Sequence, residues 1–158
     1  VPIKQYKASK MKTIEEINKL PILDVPDRLI KKETAEKYRM RASLSEKDGE
    51  TVTHLYCPDT LDGKLVGYEC KDTANKSFSS VGDRKGELDL FGSWTCTGGN
   101  KLFITEGRLD AMALHQHIEK LTPEKYKQYK PSVVSLKRGV SNANKDLLYK
   151  PKQEMLGK

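Results

Sequence analysis

The chain has 158 residues, of which 36% are hydrophobic and 32% are charged, and its formal net charge is +7. This length suffices for a modest domain with a buried core. No run approaches the roughly 18 consecutive apolar residues of a membrane span, and no signal-peptide pattern opens the chain. Cys57, Cys70 and Cys96 cannot all pair and form no CxxC motif, which excludes a disulfide scaffold and a self-contained zinc site.

The charge is unevenly distributed along the chain. Basic residues outnumber acidic ones by ten to six over residues 1–40 and by twelve to six over 101–158, whereas seven basic residues face ten acidic ones over 41–100. Basic ends around a slightly acidic middle indicate a polyanionic partner, and nucleic acid is the commonest one. A lysine-rich surface that is merely well solvated is the alternative.

Residues 1–27 are predicted to be a basic tail and linker, because Pro21 and Pro26 bracket a short extended stretch. The chain begins with Val1, so we expect it to be a piece of a longer protein. Residues 30–40 are rich in helix formers and predict a short helix.

The middle of the chain predicts an antiparallel hairpin. Residues 51–57 and 64–70 are β-prone and flank a turn-rich stretch at 58–63. Residues 77–79 predict a third strand, and residues 82–86 a loop.

A strand–helix–strand pattern follows. Residues 101–105 and 132–136 predict two short buried strands, and residues 108–120 predict the helix between them. The face that the helix buries would carry Leu109, Met112, Ala113 and His117. A crossover of this length requires a parallel strand pair, and thus a βαβ unit. The expected fold class is α/β: an α+β N-terminal part with an antiparallel hairpin, followed by the first βαβ unit of a parallel sheet.

Charged residues follow both strands of the predicted βαβ unit. Glu106 comes directly after the first strand, and Lys137, Arg138 and Gly139 come after the second. Ligands of open α/β sheets bind beyond the carboxyl ends of the strands. A carboxylate beside a basic, glycine-containing turn is suited to a divalent metal and a phosphate. The alternative is that Glu106 is a solvent-facing helix cap.

Residues 102–111, with the sequence LFITEGRLDA, resemble the first motif of a TOPRIM domain, the metal-binding module of DnaG-type primases and topoisomerases. The likeness extends over about residues 28–145 to the primase half of the primase–helicases of short-tailed phages, which are related to mitochondrial Twinkle. The further segments that carry it are Leu29–Thr34, Lys71-Asp72, Lys76–Phe78, Leu90–Gly92, Val133–Leu136, Gly139 and Ser141. The resemblance implies an N-terminal subdomain of a primase catalytic domain at 28–100 and a partial TOPRIM domain at 101–158.

The resemblance implies part of a DNA primase that makes short RNA primers on a single-stranded DNA template from nucleoside triphosphates, by metal-dependent nucleotidyl transfer. It implies that Glu106 and Asp110 bind Mg²⁺ or Mn²⁺, and that Glu106 and Lys76 are catalytic. The candidate residues for binding nucleotides or nucleic acid are Lys71, Lys76, Arg84, Lys85, Lys137, Arg138 and Gly139.

The sequence also departs from the family. Arg108 stands where phage members often carry an acidic residue, and no Asp-x-Asp motif follows Leu136. A four-cysteine zinc module and a Walker A motif are absent from the 158 residues as well. We therefore expect weak metal binding and no primer synthesis by the chain alone. Expected partners are a helicase domain, the remaining TOPRIM segment or a DNA polymerase, with no membrane. The expected location is the cytoplasm, that of the host cell if a phage encodes the chain.

Two other functions stay open. The first is a TOPRIM nuclease or topoisomerase-like enzyme. The second is a truncated or repurposed TOPRIM fragment that binds nucleic acid or a replication partner without catalysis. His115 and His117 are two residues apart on the predicted helix, so they point to different faces and make no metal pair.

Overall fold

The computed structural model describes residues 10–98 and 101–137. The strands in these ranges are β1 (Arg41–Leu44), β2 (Val52–Leu61), β3 (Lys64–Asp72), β4 (Phe78–Gly82), β5 (Phe103–Thr105) and β6 (Val133–Ser135). The helices there are α1 (Ile14–Asn18), α2 (Lys32–Lys37) and α3 (Arg108–Leu121). Strands β1 to β4 form an antiparallel sheet in sequence order, and β5 pairs with β6 in parallel. The α/β class, the hairpin and the βαβ unit are thus confirmed.

The hairpin is longer than the sequence predicts, because β2 continues through Pro58 to Leu61. Strand β1 pairs with β2 only as far as Tyr56. Pro58 therefore lies beyond the end of β1, where its missing N–H interrupts no pairing on that side. The tight turn is reduced to Asp62 and Gly63, both with positive φ. The Asp89 carboxylate accepts a hydrogen bond from the Gly63 amide at 2.9 Å and so holds this turn.

Part of the segment predicted as tail and linker packs against the antiparallel sheet. Helix α1 begins with a capping box between Thr13 and Glu16, which satisfies two amides at its N-terminus. Its Ile17 is fully buried with Tyr56 and Tyr68 of the sheet. Residues 14–18 therefore belong to the folded unit, a correction to the sequence-based interpretation.

Two expectations about the βαβ unit are wrong. Strand β6 is buried as predicted, but Phe103 and Ile104 of β5 are 40% and 42% exposed. Within the described residues β5 pairs with β6 alone, which leaves its other edge uncovered. The buried face of α3 consists of Arg108, Ala111, Met112 and His115, not of Ala113 and His117, which are exposed.

Polar contacts, which the hydrophobic pattern does not show, determine which face of α3 is buried. His115 places its Nδ1 atom 3.0 Å from the Tyr38 hydroxyl, which donates to the Val133 carbonyl at 2.7 Å. Tyr38 packs in one core with Leu55 and Met112, so α2, the antiparallel sheet and α3 share that core. The result is that one face of the antiparallel sheet lies opposite the N-terminal end of α3. No helix in the described ranges is long and apolar enough to cross a bilayer.

Candidate nucleic-acid and metal site

A cleft of about 530 Å³ lies between the antiparallel sheet and the N-terminal end of α3. The charged residues that line it are Arg28, Glu69, Lys71, Glu106, Arg108, Asp110 and Lys137. A larger groove of about 1230 Å³ between α2 and α3 is lined by none of the candidate catalytic, metal-binding or nucleic-acid-binding residues. The cleft is therefore the candidate site.

The pleat of β3 supplies two of the charges. Glu69 and Lys71 are two residues apart, so their side chains lie on the same face of the sheet. Tyr68, on the other face, packs against α1. The strand register places Leu55 opposite Lys71 on β2 and Phe78 opposite Lys71 on β4. One face of three neighbouring strands thus forms one wall of the cleft.

The opposite wall comes from the junction between β5 and α3. Strand β5 ends at Thr105 and α3 begins at Arg108, so Glu106 and Asp110 lie around the first helical turn. Both side chains are exposed. A Cβ atom at Gly107 would lie 2.7 Å from Oδ2 of Asp110, so glycine at this position lets the Asp110 carboxylate fold over the helix start. The structure brings together the two carboxylates that the sequence proposes as metal ligands.

The two carboxylates have the donor chemistry that a divalent cation requires. Mg²⁺ takes hard oxygen ligands and usually keeps several waters, so one or two carboxylates can hold it. Glu106 and Asp110 are exposed enough to leave room for those waters. Among the residues described, no three or more His, Cys, Asp or Glu side chains gather into a metal site. The residues present are therefore of the donor type that Mg²⁺ and Mn²⁺ prefer.

Arg108 joins the two walls through buried ion pairs. Its Nη1 atom lies 2.8 Å from Oδ1 of Asp59, and its Nε atom lies 3.1 Å from Oε1 of Glu69. Burial alone would lower the pKa of Arg108, but the carboxylates of Asp59 and Glu69 outweigh it and raise that pKa. The guanidinium therefore stays charged and neutralises acidic groups from the opposite wall. The departure from the family at this position has a structural role.

Lys71 lies where several charges converge. Partial burial lowers its pKa, repulsion by Arg28 lowers it further, and the Asp110 carboxylate opposes the change. Its Nζ atom lies 5.5 Å from the centre of the Phe78 ring.

Cys57, also in the cleft lining, has its pKa raised to about 12 by burial. Its thiol is therefore protonated at neutral pH and no nucleophile.

The other predicted binding residues are not all in the cleft. Lys76 is exposed in the turn between β3 and β4, outside the lining, although its charge helps to lower the pKa of Lys71. Arg84 places Nε 2.5 Å from Oδ2 of Asp59, so this side chain takes part in the buried ion pairs. Lys85 is exposed in the following loop.

Lys137 does line the cleft. Its carbonyl oxygen accepts a hydrogen bond from Arg108 at 3.4 Å. Arg138 and Gly139 lie outside the described residues.

Sequence-based interpretation gives no role to Arg28 and Glu69, which are charged residues of the cleft, and names Phe78 only as part of a segment that carries the resemblance. The hairpin signal could have found two of them. With the register known, Glu69 and Phe78 must share a face with Lys71. Arg28 follows Pro26 in a one-turn helix, and no local pattern in the sequence links that turn to the hairpin.

Comparison with known proteins decides which fold this is. The chain is similar to the crystal structure of the primase fragment of the bacteriophage T7 primase-helicase protein, with 26% identity and a TM-score of 0.56. The similarity covers 77% of this chain and 45% of that one. The chain matches part of a phage DNA primase domain. It spans about half of the structures that it matches.

A second match shows this primase domain in a larger assembly. In that structure the bacteriophage T7 lagging-strand DNA polymerase interacts with the primase domains of two gp4 subunits bound to an RNA/DNA hybrid and dTTP. Identity is 26%, the TM-score is 0.58, and the similarity covers 83% of this chain and 52% of that one. No protein-family profile and no curated protein sequence matches the chain. The match to the primase domain therefore rests on structure.

Proposed function

We propose that this part of a DNA primase contributes the catalytic cleft that synthesises short RNA primers on single-stranded DNA by metal-dependent nucleotidyl transfer. The observation that carries the proposal is the position of Glu106 and Asp110 across one cleft from Lys71. Two carboxylates that can bind a metal ion and a lysine that can bind phosphate thus line one cleft, in a fold similar to a phage primase domain.

The acidic and basic side chains of the cleft have different proposed roles. Glu106 and Asp110 would hold Mg²⁺ or Mn²⁺, which supplies positive charge for phosphoryl transfer when bound. Lys71 and Lys137 face the same space and attract nucleotide phosphates. Arg108 holds the two walls together through its carboxylate partners and leaves the cleft lysines to bind the ligand.

The exposed lysines outside the cleft lining bind the phosphate backbone of the nucleic acid. Lys76 and Lys85 carry positive charge at the β3–β4 turn and in the loop after β4. Contacts of this kind with backbone phosphates provide affinity without sequence preference. In this proposal Lys76 contacts phosphate beside the cleft, and Lys71 acts inside it.

The partners follow from the same function. The T7 primase domains are described in complex with a DNA polymerase, an RNA/DNA hybrid and dTTP. We propose that this chain likewise takes nucleoside triphosphates and a single-stranded template, and that it works beside a helicase domain, further TOPRIM residues and a DNA polymerase. Replication of phage DNA would place it in the cytoplasm of the host cell.

Binding of a labelled single-stranded oligonucleotide, followed by fluorescence anisotropy, tests the proposal. We expect weak binding that falls steeply between about 50 and 200 mM salt, because phosphate neutralisation supplies most of such affinity. Lys71→Ala should weaken binding. The control variant Lys127→Ala should not, because Lys127 is an exposed lysine outside the cleft, paired with Glu124. Absence of binding at low salt, or binding insensitive to salt, would overturn the proposal.

A further inference from the structure

Phe78 is an exposed aromatic side chain at the cleft. It is 63% exposed, and it lines the cleft together with Lys71 and Asp110. Its neighbours along β4, Ser79 and Ser80, are small, polar and exposed. Phe78 is therefore an isolated ring on a polar strand, without the broad apolar patch that a protein partner would cover.

The position of the ring is fixed by the sheet. Phe78 is the direct cross-strand partner of Lys71, and such pairs lie on the same face with their side chains in contact range. The Nζ atom of Lys71 stands 5.5 Å from the ring centre, within the range of a cation–π interaction. With most of the side chain still exposed, ring surface is left for a second planar group.

The chemistry around Phe78 matches one class of ligand. Surfaces that bind single-stranded nucleic acid combine aromatic rings, on which bases stack, with cations that bind the backbone. Here Arg28, Lys71 and Lys137 line the same cleft as the ring. A small apolar ligand would make no use of these cations, and a bare phosphate would make no use of the ring. A nucleotide unit uses both.

We propose that Phe78 is a stacking platform for a nucleobase whose phosphate is bound by Lys71 and Arg28. This inference rests on the proposed function and adds a recognition element to it. The base can belong to a free nucleotide or to the single-stranded template, and both present the same planar face.

Two variants at position 78 distinguish base stacking on the ring from apolar contact with a side chain of any shape. Phe78→Leu keeps an apolar side chain but removes the ring, and Phe78→Trp keeps a ring. We expect Phe78→Leu to weaken binding roughly 5- to 150-fold, the range for loss of one stacked base, and Phe78→Trp to bind at least as well as the parent chain. Tyr129→Leu, at another exposed aromatic residue outside the cleft, should change nothing.

The measurement uses two ligands in parallel. A single-stranded oligonucleotide that contains 2-aminopurine reports stacking by fluorescence quenching, and a fluorescent nucleoside triphosphate reports on the free nucleotide. A loss confined to one ligand identifies the source of the base. The salt dependence should stay unchanged in Phe78→Leu, whereas Lys71→Ala should reduce its slope by about one phosphate contact.

The outcomes separate this inference from the proposed function. If the parent chain binds both ligands and Phe78→Leu binds them equally well, stacking is wrong and the proposed function stands. If Phe78→Leu and Phe78→Trp weaken binding to the same extent, the ring is not the recognised feature and the inference also fails. If the parent chain binds neither ligand at low salt, both are wrong.

Discussion

Arg108 at the start of α3 and Asp59 in β2 form a buried ion pair, with Nη1 and Oδ1 2.8 Å apart. The two residues are 6% and 3% exposed, and they connect the helix that carries Asp110 to the sheet that carries Lys71. Arg84 places its Nε atom against the other carboxylate oxygen of Asp59. Asp59 lies opposite Gly67 on the next strand, and because glycine has no side chain, nothing there blocks Arg84. The ion pairs thus set the distance between the two walls of the cleft.

Arg108→Met should destabilise the fold by about 3 kcal/mol, at the low end of the cost of breaking a buried ion pair, because Arg84 still pairs with Asp59. Denaturant unfolding measures the change. Glu69→Gln in the same chain should recover part of the loss, since it removes the carboxylate that loses its nearest cation, the Arg108 Nε atom at 3.1 Å. Lys85→Ala, in an exposed loop, should stay within about 0.5 kcal/mol of the parent. A loss below about 1 kcal/mol for Arg108→Met would contradict the structural role of this residue.

Lys71→Ala should weaken nucleoside triphosphate binding more than Lys76→Ala does. Lys71 lines the cleft together with the two carboxylates and the ring, whereas Lys76 lies in a turn outside the lining. Titration of a fluorescent nucleotide with each variant decides between them. The sequence resemblance favours Lys76 as the catalytic lysine, and an equal or larger loss for Lys76→Ala would support that assignment over the geometry.

Stability should fall as the pH drops below the ordinary pKa of glutamate. Burial raises the pKa of Glu119, but hydrogen bonds from Lys37 and His115 outweigh it, and the pKa is lowered from 4.5. A carboxylate with a lowered pKa in the folded state stabilises the fold above its unfolded value, and the contribution is lost as the pH falls through the folded value. Urea unfolding of Glu119→Gln between pH 7 and pH 3.5 should show a flatter acid limb than the parent. Identical limbs would contradict this prediction.

The sequence predicted those parts of the fold that depend on local patterns. The hairpin follows from two β-prone segments around a turn, and the βαβ unit follows from a change of hydrophobic period. The pairing of the carboxylates at 106 and 110 came from the resemblance to the TOPRIM motif, whereas the pattern of the βαβ unit pointed to Glu106 alone, at the carboxyl end of a strand.

The features that the sequence missed depend on contacts between distant segments. Pro58 reads as a turn residue, and only the short reach of β1 explains its place in a strand. His115 reads as a surface residue until Tyr38, 77 positions earlier, supplies its partner. Arg108 appears in the sequence only as a departure from the family, because its partners lie on strands far from it in sequence. Long-range pairing of polar groups leaves no periodic trace in a single sequence.

In the proposed function, Glu106 and Asp110 hold a divalent cation in the cleft. Mn²⁺ titration of the ¹⁵N-labelled chain tests it most directly, because the paramagnetic ion broadens the amide signals near its site. We predict weak binding that broadens the amides of Gly107 and Asp110 first, is reduced by Glu106→Gln, and is unchanged by Glu124→Gln at an exposed carboxylate outside the cleft. Broadening centred elsewhere, or unaltered by Glu106→Gln, would show that these carboxylates are not the metal ligands.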